Sequence, residues 1–150
     1  MPRTDRLSPA AVAMLHDEKH LAVVSTLMPD GSIQSTPTWV DAEPDGTHVL
    51  INTVATHLKV KNVDRDPRVT IAVLDETGPF RNLVVRGTVV EKRSHDDGAE
   101  AHIHALAKRY MGRDSYPMRE GERRVILRIA PTHVLERGID GTQRDARWKA

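Results

Sequence analysis

Apolar residues in this chain fall mostly into short runs separated by Pro, Gly and Asp, and only a few stretches carry the wider spacing of a helix. Ser8-Pro9 has the chemistry of a helix start, with serine as the cap and proline in the first turn. Val12, Leu15 and Met14 then supply the inward face of a short helix. Residues 21–28 (LAVVSTLM) predict a strand, Pro29-Asp30-Gly31 a turn, and residues 33–40 a second strand that completes a hairpin. A turn over residues 41–46 leads to a third strand at 48–53, and strands joined by such short turns form an antiparallel meander. Residues 56–66 are polar and helix-competent, and Pro67 stops them. Strands follow at 69–74 and 83–93, the longer one interrupted by Gly87, which marks a bulge, a barrel corner or the close approach of another backbone. Helical periodicity returns over 96–110, where Ala99, Ile103, Leu106, Ala107 and Tyr110 share a face. A final strand covers 123–130, extended by 133–136 beyond Pro131.

This order predicts a mainly β protein of six or seven antiparallel strands with two or three inserted helices, curled into a small closed or nearly closed barrel. The strand–helix alternation of a dinucleotide-binding fold is missing. A length of 150 residues fits one domain, which we take to have its core over about 10–136 and a charged tail over 137–150. Cysteine is absent, so disulfides, thiolate metal sites and a cysteine nucleophile are excluded. Lys+Arg 22 against Asp+Glu 21 leaves a net charge of +1, which argues against nucleic acid as a partner. Two Trp, two Tyr and one Phe make ring contacts a scarce resource. The polar start and the shortness of apolar runs such as Leu83-Val84-Val85, far below the ~20 residues of a membrane span, lead us to expect a cytoplasmic protein with no membrane association.

Common catalytic signatures are missing. His102 and His104 lie two apart, on different faces of their helix, without the spacing of a zinc site, and read as surface residues; we expect no metal. No G-x-S-x-G elbow, P-loop or G-x-G-x-x-G occurs. Asp96-Asp97 at a helix start is explained by the helix dipole. The segment 53–68 stands apart. His57, Lys59, Lys61, Arg65 and Arg68 face only Asp64 and Asp66, a local charge of +2 before histidine is counted. Backbone N–H groups at this helix start, with Thr53, Thr56 and Lys59, make a candidate phosphate site, the plainer alternative being a solvated helix face.

Three stretches resemble the split-barrel flavin and deazaflavin oxidoreductases related to pyridoxamine 5'-phosphate oxidase. They are the hairpin leading into Thr36-Pro37-Thr38-Trp39-Val40, the run from Leu50-Ile51-Asn52-Thr53 through His57-Leu58-Lys59-Val60-Lys61-Asn62-Val63-Asp64-Arg65-Asp66-Pro67-Arg68, and Leu83-Val84-Val85-Arg86-Gly87-Thr88-Val89. The resemblance implies a split β-barrel homodimer with a cofactor in the groove between subunits. By position, Lys59 pairs with the cofactor phosphate, Thr53 and the loop to His57 complete its cradle, and Asn52 faces the cofactor. Pro37, Thr38 and Trp39 border the ring, Lys61 and Asn62 lie one helical step beyond the phosphate, and Asn82 reaches the ring from the second subunit.

Departures from the pyridoxamine phosphate oxidases narrow the implication. Those enzymes carry an arginine and a lysine on the strand matching Thr36 to Asp41, and an arginine where Leu58 stands; this chain has neither. The pattern is more similar to the branch that uses coenzyme F420, a deazaflavin with a polyanionic tail suited to Lys59, Lys61, Arg65 and Arg68. The implied activity is hydride transfer from the reduced deazaflavin to an electron-poor small molecule. An FMN-dependent reductase or oxidase and a non-catalytic flavin or tetrapyrrole carrier stand as alternatives. No catalytic side chain is identified, Trp39 serves either the ring or ordinary packing, and the loops at 75–81 and 111–121 shape the substrate pocket.

Overall fold

The turn chemistry along the chain translates directly into antiparallel pairing. A computed structural model describes residues 5–78 and 80–139. The hairpin of β1 (Leu21–Leu27) and β2 (Ile33–Trp39) pairs Leu27 with Ile33 and Leu21 with Trp39. A two-residue strand, β3 (Asp41–Ala42), follows after Val40 alone and pairs with β4 (Val49–Val54). The segment 41–46 is thus part strand, a correction to the turn expected there; two paired residues are too few to leave a periodic signal. After α2 (Leu58–Arg65) come β5 (Arg68–Leu74) and β6 (Asn82–Arg93), and β7 (Arg124–Arg137) closes the described chain.

All seven strands form one sheet in the order β2-β1-β5-β6-β7-β4-β3. Its two edges, β2 and β3, are adjacent in sequence, so the sheet must curl until they meet at Val40. The result is a half-barrel of antiparallel strands carrying three helices, the split-barrel architecture. Its interior holds Val24, Ile51, Ile71, Leu83, Leu127 and Ile129, all buried, and is plugged by α1 (Pro9–Asp17) and the apolar face of α2. Ser8 caps α1 as its sequence predicts, its hydroxyl accepting from the Ala11 amide at 3.1 Å. Helix α1 buries Ala11, Met14 and Leu15, while Val12 is only partly covered.

Strand β4 is buried on both faces, because α3 (Ala99–Met111) lies across its outer side and contacts Leu50 there through Ala99. The helix expected over 96–110 begins later, since Gly98 at φ +108° separates it from a short 3-10 turn at His95–Asp97. The last strand is one continuous element and not two. Pro131 sits within it opposite Gly87, and Thr132 is looped out of register, its hydroxyl donating to the Arg86 carbonyl at 3.1 Å. An added Cβ at Gly87 would stand 2.3 Å from the Ala130 carbonyl oxygen, so the glycine marks both a bulge and a close backbone approach. No helix among the described residues is long and apolar enough to cross a membrane. The expected tail lies outside the described residues beyond Ile139, while Arg137 ends β7.

Candidate functional site

Where β4 leaves the sheet, the chain turns through His57 into α2, and no side chain caps that helix start. Lys59 in its first turn is 7% exposed, yet no carboxylate pairs with it among the described residues. Burial, reinforced by the positive charge of Arg124, holds its ammonium below the usual lysine range. His57 is likewise pushed down, by burial first and then by Lys59 and Arg124. Thr53 Oγ1 lies 3.2 Å from His57 Nδ1. Thr53, His57 and Lys59 are therefore brought together, as three groups that favour a negative guest.

Arg124 belongs to the same cluster, and sequence reasoning missed it. It is buried at the start of β7, where its Nε donates to Asn52 Oδ1 at 2.9 Å and its Nη1 pairs with Glu122 at 3.1 Å. The guanidinium also lies over the Tyr116 ring, 5.1 Å from its centroid. An arginine pair leading into an apolar strand carries no local signal of burial; Tyr116, one of five aromatics, was the available hint.

Asn52, expected to face a cofactor, points instead toward α3. Its Nδ2 donates to the Ala99 carbonyl at 2.9 Å and lies 3.1 Å from His102 Nδ1, and its oxygen accepts from Arg124. Both ends of the amide are thus spent on orienting the arginine. Behind it, His102 Nε2 lies 2.9 Å from Asp41, which also contacts His16 at 2.7 Å and Arg109 at 2.9 Å. Burial alone would raise the Asp41 carboxyl, but hydrogen bonds from His102 and His16 and the charge of Arg109 outweigh it and hold it at about 2. The surface reading of His102 and His104 is corrected here: His102 is largely buried in this chain, and His104 Nδ1 accepts from the Tyr116 amide at 2.9 Å.

A cleft of about 480 Å³ opens beside Arg124 and His57, lined by Thr56, Tyr116, Arg119 and Glu122 among others, while Lys59 and Thr53 lie behind its lining. Tyr116, Arg119, Glu120 and Gly121 of the loop at 111–121 line it, and no described residue of the loop at 75–81 does. Trp39 reaches the same neighbourhood from the end of β2, stacked on Tyr110 at 4.8 Å and edge-on to Tyr116 at 5.8 Å. Pro37 and Thr38 precede it on that edge strand. The remaining candidates are not gathered in. Lys61 is exposed, and Asn62 is fully buried against β1, donating to Thr26 Oγ1 at 3.0 Å. Arg68 is paired with Asp66, and Arg65 with Asn62 and the Leu27 carbonyl, so the basic run does not present one continuous face. Asn82 pairs with Arg137, at the opposite end of the 14-residue β7 from Arg124 and roughly 40 Å of extended strand away. Elsewhere among the described residues Glu18, His20 and Asp75 converge as potential metal ligands, but Arg81 already bridges the two carboxylates at 2.7 and 2.6 Å.

A half-barrel of seven antiparallel strands with this topology is the split-barrel architecture. Residues 7–138 match the sequence profile described as pyridoxamine 5'-phosphate oxidase, and the chain belongs to that family. Among solved structures it is similar to an F420 reductase, at 26% identity and a TM-score of 0.73 over 85% of this chain and 98% of the other. It shares its fold with a conserved hypothetical protein of Mycobacterium tuberculosis (22% identity, TM-score 0.62, 89% and 87% covered). The same holds for HupZ of Group A Streptococcus (16% identity, TM-score 0.61, 92% and 95% covered). No curated protein matches the chain by sequence.

Proposed function

We propose that the chain is a coenzyme F420-dependent oxidoreductase that acts on an electron-poor small molecule. One observation carries the reading: Lys59 is a buried cation with no anionic partner among the described residues, near enough to Arg124 and His57 for their charges to interact, and those two residues line an open cleft. A buried, unpaired charge is costly unless a ligand completes it, and a phosphate-bearing cofactor has the required charge. In this reading Lys59 and His57 hold the phosphate with Thr53 behind them, and Pro37, Thr38 and Trp39 border the ring. Lys61, on the outer face of α2, meets the anionic tail, while Asn52 and Asn62 act as supports and not as ligands. When bound, the deazaflavin supplies a two-electron reductant in the form of hydride. The protein contributes binding, orientation and exclusion of water. Asn82 joins the site only from a second copy, which makes a homodimer part of the proposal.

Similarity to the F420 reductase supports F420 over FMN, as does the lack of a basic residue on β2. Titration with each cofactor, followed by tryptophan fluorescence, tests the choice. F420 is expected to quench, and Lys59→Met to weaken that binding by at least about 30-fold, equivalent to roughly 2 kcal/mol for a charge-assisted contact. Tight FMN binding without measurable F420 binding would overturn the reading. Binding without turnover of quinones or nitroaromatics would leave a carrier.

A further inference from the structure

Glu122 is the acid that meets Arg124 in a cleft that a second acid, Glu120, also lines. Its carboxylate is 11% exposed, lies 3.1 Å from Arg124 Nη1 and is close enough to counter the depression of the His57 imidazole. The two sides of Arg124 differ in kind. On one, Nε is held by Asn52, whose own amide is locked by Ala99 and His102. On the other, Glu122 stands on a surface turn closed by its amide to the Arg119 carbonyl at 3.1 Å, and its second oxygen meets only the Arg119 amide at a long 3.4 Å. Asn52 is thus the fixed partner of the arginine and Glu122 the exchangeable one.

Resting on the phosphate site proposed above, we infer that Glu122 is a resident stand-in for the ligand's anion, displaced from Arg124 when phosphate binds. Without a ligand, Glu122 spares the protein a second uncompensated buried cation beside Lys59. With one, the guanidinium exchanges a carboxylate for a phosphate oxygen, and no bond is made or broken. The exchange makes Glu122 a specificity residue. An anion that meets Lys59 and Arg124 together displaces it, whereas one that meets Arg124 alone gains too little to do so.

Inorganic phosphate is the probe, titrated calorimetrically into the full chain and into Glu122→Gln, with thermal unfolding of each ligand-free protein to verify folding. Glu122→Gln is expected to bind phosphate about 10-fold more tightly, because the competing charge is gone and the shape is kept. Glu122→Asp, with a retracted carboxylate, is expected to fall between the two. Glu120→Gln removes an equal charge from the same cleft without touching Arg124 and is expected to stay within about twofold of wild type. Unchanged or weaker binding in Glu122→Gln, equal tightening in Glu120→Gln, or no phosphate response in any of these proteins overturns the inference. A parallel F420 titration separates the two claims. If the wild type binds F420 and Glu122→Gln gains no affinity for phosphate, the exchange fails and the cofactor assignment stands. If phosphate tightens and F420 does not bind, the assignment fails and the exchange stands.

Discussion

Lys59 and Asp41 are both buried charges, and they have opposite consequences for stability. Lys59 lacks a counter-charge among the described residues, so folding must desolvate its ammonium unassisted. Lys59→Met keeps the stem's packing and removes that penalty. It is expected to raise the ligand-free unfolding midpoint while weakening cofactor binding, a divergence that scanning calorimetry and a binding titration read separately. Asp41 is fully engaged by His102, His16, Arg109 and the Ala42 amide. Its carboxyl, held at about 2 against an ordinary 3.8, contributes about 2 kcal/mol that is present above pH 4 and is lost as pH falls toward 2. Asp41→Asn is expected to cost about 3 kcal/mol at pH 7, because Arg109 loses its counter-ion. The same variant should flatten the acid limb of a urea-unfolding series taken from pH 5 to pH 2. Lys59 is legible in the sequence because it sits in a local charge run opening a helix. Asp41 and Arg124 are not, since His102, His16 and Arg109 for the one and Asn52 for the other lie far along the chain, and only the curled sheet brings them together.

Elements with local signals were the readable ones. The Ser8 cap, the Pro29-Asp30-Gly31 turn and the short apolar runs of β1 and β5 each follow from a few adjacent residues. Gly98 divided a helix that periodicity alone ran together, and β3 was too short to show. Gly87 was legible as a site of special geometry, and the fold supplies the reason in the Ala130 carbonyl that crosses it. Gly87→Ala forces the two longest strands apart where their register already shifts. A destabilisation of about 2 kcal/mol is expected from such overpacking. It should appear in urea as a lower midpoint at unchanged slope, the signature of a weakened but still cooperative fold.

At the scale of the molecule, the sheet is joined edge to edge by a single residue, Val40, and α3 holds that junction. The Tyr110 hydroxyl accepts from the Val40 amide at 3.2 Å and donates to the His20 carbonyl at 2.8 Å, while Arg109 donates to the Leu15 carbonyl at 2.6 Å. Trp39, stacked on the same tyrosine, ties the ring-bordering end of β2 to this junction. The Val40 amide is therefore protected by a phenol on a separate helix and not by a neighbouring strand. In deuterated solvent it becomes a sensor of its own. Tyr110→Phe is expected to let that single amide exchange many times faster while amides in the β5–β6 ladder keep their wild-type rates, so the seam could be heard loosening before the barrel gives way.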